Sequence, residues 1–321
     1  MDKNIYTYYR LFGWSILAII FAFLIDNILM VGFQFPGILS LTNGFSLFPS
    51  IELVIYVFSL CLVFYIIPKY KNQSLRIDSK FLHNLNIYII RSCFWVIFLI
   101  GIVDISIAFL RVEKIFDLIL TKNITAQFTR PVFVGTYIHI PLIIFGFIIG
   151  LFTRTLGFHW LSLLIVLSEL VIVITRFIFS YEQTFMGDLV RYWYAGLFLF
   201  ASAYTLYEDG HVRVDILYQG LKEKTKNLVN CFGSILLGWS TSIVIILICF
   251  YGKQSIVNSP VANFEVTQQG SVGMFIKYHM AVFLAIFGIT MLIQFISYFF
   301  ESIADYKNEK GKRIIETSTS H

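Results

Sequence analysis

The chain has 321 residues, 58% of them hydrophobic and only 13% charged, against roughly 25% charged residues in a soluble domain. That composition excludes a soluble globule, and no polar stretch is long enough to build an aqueous catalytic domain. The formal charge of +5 comes from Lys and Arg in short links between apolar runs and at the ends, which points to membrane orientation and away from a nucleic-acid partner.

Taken in chain order, the apolar runs predict eight transmembrane helices, at about 11–31, 51–67, 87–110, 132–152, 156–174, 189–207, 228–251 and 272–299. Each is close to the roughly 20 residues that cross the hydrocarbon core. The fold class is therefore an all-α, polytopic integral membrane protein. Gly32-Phe33-Gln34-Phe35 after the first run offers no small-residue cleavage site, so that helix is expected to remain attached. With both termini cytoplasmic, that side holds roughly twice as many Lys and Arg as the other, in agreement with the positive-inside rule.

Between the third and fourth runs, Phe116, Leu120, Ile124 and Phe128 recur every four residues, a pattern for an amphipathic helix on the membrane surface or for an ordinary link. Among the six prolines only Pro141 falls inside a run, where it should bend the helix. Gly146 and Gly150 form a GxxxG in the fourth run, and Ser234, Gly238 and Ser242 put a small-residue ridge on the seventh; both allow close helix contact. Cys61, Cys93, Cys231 and Cys249 have no CxxC spacing and read as small apolar residues.

Asp26, Asp104, Glu169, Asp188 and Arg191 lie within or at the edges of apolar runs, where ionisable residues are functional candidates. Glu169 and Arg176 share a helix face, as do Asp188 and Arg191, so pairing with each other or with another subunit is favoured over contact with a transported ion. Bis-histidine haem ligation would need two histidines at matching depth. His139 lies near mid-run while His159 and His279 lie toward helix starts on opposite sides, which favours interhelical hydrogen bonding. No phosphate-cradling loop, nucleophile–base pair, metal site or cofactor motif is discernible, so no enzyme is expected. A complete carrier usually carries paired, Gly/Pro-interrupted half-helices, and none is visible. The residues describe a helical membrane subunit that depends on another chain.

The most informative stretch runs over 175–220. It reads Arg176-Phe177-Ile178-Phe179, then Gly187-Asp188-Leu189-Val190-Arg191-Tyr192-Trp193, then Glu208-Asp209-Gly210-His211-Val212-Arg213-Val214-Asp215 after the sixth run. This closely resembles the DctQ-like small membrane subunit of tripartite ATP-independent periplasmic (TRAP) transporters, in the 2-oxo acid, mannitol or chloroaromatic branch. The likeness covers about 156–306. Arg176 matches the arginine closing the family's first helix, Asp188 with Arg191 the acid and base opening the second, and His211, Arg213 and Asp215 the signature of the cytoplasmic link. Lys277 and Gln294 fit weaker positions. Spacing alone suits an ordinary charged loop that fixes topology; the resemblance implies a docking element instead, in which an extended chain would alternate Val212 and Val214 with these polar residues.

The resemblance implies a division of labour. A periplasmic, DctP-like binding protein captures an organic acid, a large DctM-like permease carries it with sodium ions, and this chain is the scaffold, or stator, packed in membrane lipids against the permease's immobile part. It also implies residence in the bacterial inner membrane and three regions: an extension with four extra helices (1–154), the DctQ-like domain (155–306) and a charged cytoplasmic tail (307–321). The family's usual small subunit has only four helices, so the extension departs from the pattern. Glu169, Arg176, Asp188, Arg191, His211, Arg213, Asp215 and Gly238 are the candidates for the subunit interface or for topology. A haem- or quinone-linked redox subunit and an independent channel or carrier are the alternatives.

Overall fold

The computed structural model describes residues 3–43, 46–208, 216–266 and 272–313. Among them the chain is helical with no strand, as an apolar chain in lipid must be when every backbone N–H needs a partner within its own segment. The helices are α1 (Lys3–Gly32), α2 (Leu47–Ile66), α3 (Leu75–Val112), α4 (Phe116–Ile119), α5 (Lys122–Phe128), α6 (Pro131–Val134), α7 (Ile140–Phe152), α8 (Phe158–Ile178), α9 (Thr184–Tyr207), α10 (Ile216–Gln219), α11 (Glu223–Gly233), α12 (Ser240–Phe250), α13 (Asn258–Ala262) and α14 (Lys277–Tyr306). Wider π-turns at Gly135–His139 and Ser234–Trp239 join α6 to α7 and α11 to α12 without ending the helix.

Seven helices among the described residues are long and apolar enough to cross a membrane: Tyr6–Gly32, Leu47–Tyr70, Leu75–Val112, Pro131–Phe152, Phe158–Ile178, Glu223–Phe250 and Lys277–Tyr306. They correspond to seven of the eight expected runs. The other run forms α9, which at 24 residues is long enough. Asp188, Arg191 and the Tyr192-Trp193-Tyr194 cluster lower its apolarity, and it is not among the seven. Burial divides the seven: 50% of the most apolar stretch is buried in Leu75–Val112 and in Lys277–Tyr306, against 11% in Leu47–Tyr70 and in Phe158–Ile178. The first two are core helices, and the last two present most of their surface outward.

The chain falls into two compact units, each with segments from both halves of the sequence: 1–84, 205–254 and 291–321 in one, 85–204 and 255–290 in the other. In the first unit the fully buried Arg10 guanidinium donates to Asp78 Oδ2 (2.6 Å) and to the carbonyls of Tyr70 and Gln73 (2.7 and 2.9 Å). Trp14 Nε1 reaches the other Asp78 oxygen at 3.0 Å. This ties α1 to the turn after α2 and to the start of α3. Gly238 lies against the Phe295 ring of α14, so the small-residue ridge on the seventh run closes a contact within the chain.

In the second unit the expected GxxxG contact is present. A Cβ on Gly146 would stand 2.9 Å from the Val96 backbone nitrogen, and one on Gly150 would strike Ser92, so α7 packs on α3 at backbone distance. Gly157, at φ +77, turns the chain between α7 and α8 in a conformation that side chains rarely adopt. Of the two readings left open for 116–128, one continuous amphipathic helix is not what forms. Leu120 is extended, which divides the segment into α4 and α5, and the chain folds back so that the Phe116 and Phe128 rings stack at 4.7 Å. Stacking buries Phe116 and half-buries Phe128 against the chain, where a continuous helix would have faced them to the bilayer.

Candidate functional site

The second unit gathers several of its ionisable side chains around the link that precedes α14. α3 supplies Asp104 and Arg111, α9 supplies Asp188 and Tyr192, and the first turn of α14 supplies Tyr278 and His279. His139 ends the π-turn directly before Ile140-Pro141. Proline lacks the N–H that would continue the regular ladder, and the helix takes a wider turn there.

Asp104 is nearly inaccessible. Its Oδ2 accepts the Phe275 backbone N–H at 2.7 Å, and its Oδ1 lies 3.3 Å from His139 Nε2. His139 Nδ1 pairs with the Tyr278 hydroxyl at 2.6 Å. The buried Asp188 Oδ2 accepts the Met274 N–H at 3.1 Å. Arg111 donates to the Gly273 carbonyl at 2.5 Å and lies 4.1 Å over the Phe275 ring. Two carboxylates and a guanidinium thus hold three consecutive residues, Gly273 to Phe275, whose polar groups no helix satisfies. In a dry interior such groups must find partners, and charge-assisted bonds are the strong ones.

The histidine expectation needs correction. His139 and His279 meet, with ring centroids 5.1 Å apart. Their depths match because 273–276 is not helical and α14 begins only at Lys277. His139 Nδ1 is hydrogen-bonded to the Tyr278 hydroxyl, while its Nε2 approaches Asp104 Oδ1 at 3.3 Å without forming a hydrogen bond. Among the described residues no cluster of His, Cys, Asp and Glu is suited to a metal ion. The cluster is a clamp of hydrogen bonds, as the interhelical reading expected.

Glu169 lies at the centre of α8, exposed, on a face with Val166, Leu170, Val173 and Phe177, all exposed. No hydrogen bond or ion pair among the described residues involves it. Arg176 approaches Glu182 at 3.7 Å rather than Glu169, because the chain after α8 folds back and brings Glu182 nearer than a residue two helical turns away. Asp188 turns inward onto Met274 while Arg191, three residues on, is exposed. Arg176, Asp188 and Arg191 nevertheless line one recess of about 210 Å³ together with Glu182. Beside it the Tyr181 hydroxyl donates to Glu113, a bond that raises the phenol above its ordinary value. His211, Arg213 and Asp215 lie outside the described residues. Arg111 and Tyr278, which complete the clamp, were not among the sequence candidates, whereas His139 was expected to hydrogen-bond between helices.

Residues 165–305, somewhat under half of the chain, match the family model described as Tripartite ATP-independent periplasmic transporters, DctQ component. The match begins within α8 and ends within the last turn of α14. Members of that family are transporter subunits of the inner membrane and not enzymes, and the seven apolar helices agree with a multi-pass membrane protein. Neither the curated proteins nor the solved structures contain a match to the chain.

Proposed function

We propose that this chain, which carries the DctQ domain of a TRAP-transporter small membrane subunit, is the scaffold of a sodium-coupled system that takes up an organic acid. In this reading a large DctM-like permease carries substrate and sodium, a periplasmic DctP-like protein delivers the substrate, and this subunit enlarges the fixed body against which the permease's transport domain moves. Both termini are cytoplasmic. The four N-terminal helices widen that body further, and His211, Arg213 and Asp215 serve its cytoplasmic docking. The substrate is not written in this chain: Asp104 and Asp188 are spent on its own backbone, Arg10 on Asp78 and the carbonyls beside it, and Asp26 accepts from Tyr56.

The observation that carries the reading is Glu169. A carboxylate at the centre of a spanning helix costs about 3 kcal/mol on insertion scales, and this one is exposed on an apolar face with no partner among the described residues. Such a helix, only 11% buried in its apolar stretch, needs a protein neighbour offering a donor or a cation at that depth. The test is co-purification with the permease in mild detergent, for wild type, Glu169→Gln and Glu169→Lys. Wild type and Gln should retain the permease and Lys should lose most of it. Vesicles containing this chain only, yet accumulating solute, would overturn the scaffold reading. Equal retention by all three would remove Glu169 from the interface.

A further inference from the structure

A cavity of about 410 Å³ opens within the second unit, in the size range of small-molecule sites. One face of α14 lines it with Tyr278, His279, Val282, Phe283 and Ile286, a strip about 12 Å long at 1.5 Å per residue. The polar residues are confined to one end of that strip; the other is entirely aliphatic and aromatic. Cys93, Ile97 and Phe283 form buried walls, whereas Ile140 and Phe147 of α7 are exposed at the rim. The cavity is thus accessible from an apolar exterior, by a route that hydrocarbon can follow and a hydrated solute cannot.

The polar end has an unused group. His279 is 6% exposed, and among the described residues nothing hydrogen-bonds its Nε2. The neighbouring Tyr192 ring stands edge-on at 6.3 Å, and its buried hydroxyl also has no hydrogen-bond partner among them. Tyr278, by contrast, is engaged by His139. Buried polar groups are rarely left without a partner, and His279 lines a cavity whose remaining walls, apart from Tyr278 and the Cys93 thiol, are apolar. We propose that the cavity binds a lipid hydrocarbon chain, with the oxygen at the head of the chain hydrogen-bonded to His279. This site is independent of the scaffold reading, since every residue in it belongs to this chain.

The same chemistry could come from an acyl phospholipid or from a free fatty acid, and two photoactivatable probes separate them. The full chain in lipid nanodiscs is cross-linked with a diazirine-bearing palmitoyl phosphatidylethanolamine or with diazirine palmitate, and labelled peptides are mapped. Residues of α7 and the first turns of α14 should be labelled several-fold more heavily than the outward helix α8, which reports bulk lipid. An excess with the phospholipid probe identifies a bilayer lipid, and an excess with palmitate alone identifies a fatty acid. Ile143→Trp, which fills the cavity, should abolish the excess and leave α8 labelling unchanged. His279→Phe keeps the bulk and removes the hydrogen bond, so the excess should fall about fivefold. Equal labelling of α7 and α8, or an excess that survives Ile143→Trp, overturns the site; an excess unchanged in His279→Phe overturns the role given to that histidine.

Discussion

Replacing Asp104 with Ala tests the clamp most directly. The substitution removes the acceptor 2.7 Å from the Phe275 N–H and the anion 3.3 Å from His139. A hydrogen bond to a charged group contributes about 1.5–3 kcal/mol, and a buried N–H left without a partner adds a cost of its own. The sum is about 3 kcal/mol for opening the link, or about 150-fold at 1.36 kcal/mol per decade. Amide hydrogen exchange in detergent should register this as a gain of about two powers of ten at Phe275. Asp104→Asn keeps an acceptor oxygen and should cost about 1 kcal/mol. Asp188→Ala should release Met274 in the same way while leaving Phe275 largely protected, because the two amides have separate acceptors. If Phe275 exchanges at the wild-type rate in Asp104→Ala, the carboxylate does not hold the link and the clamp is wrong.

Two further outcomes follow from packing and from pH. Gly146→Leu would force α7 off the Val96 backbone, where a Cβ already meets the nitrogen at 2.9 Å, and should cost about 1–3 kcal/mol; Gly32→Ala, with nothing within 4 Å, should stay within about 0.5 kcal/mol. Equal thermal midpoints by tryptophan fluorescence would contradict the close contact. The Tyr181 phenol, raised chiefly by its bond to Glu113, supports the fold fully below the ordinary phenol value of about 10 and loses that contribution as pH rises through its folded value. A near-ultraviolet titration should lose one late-ionising phenol in Tyr181→Phe; identical curves for the two proteins would count against the bond.

Hydropathy was enough to find seven of the eight expected spans, since lipid imposes length and apolarity on each one separately, and the GxxxG of the fourth run correctly announced a backbone-distance contact. Partnership across the fold was harder to read. Helical spacing made Asp188 and Arg191 candidates for each other, but a buried carboxylate gains more from a backbone N–H that is desolvated in any case than from a long cation that can reach water. A signal for the Asp104–His139 contact did exist. Asp104 lies six residues before the end of the 87–110 run and His139 seven after the start of the 132–152 run, which places them at similar depth in successive antiparallel helices. Their meeting depends on the π-turn, which no pattern of apolar residues encodes. Phe116 and Phe128 left their segment open for a related reason: a four-residue repeat serves a helix or a hairpin-like fold-back equally well.

The π-turn also bears on how the fourth span tolerates change in length. Excising one residue from Gly135–His139 would restore a regular helix of ample reach, so insertion and topology should survive. A π-turn takes up its extra residue locally, so the repaired helix would keep its two flanks in nearly the same register. Excising the exposed Tyr137 should therefore leave His139 beside Asp104 and Gly135 against the ring of Phe264. A deletion that would turn one flank by about 100° in a regular helix is absorbed in this span.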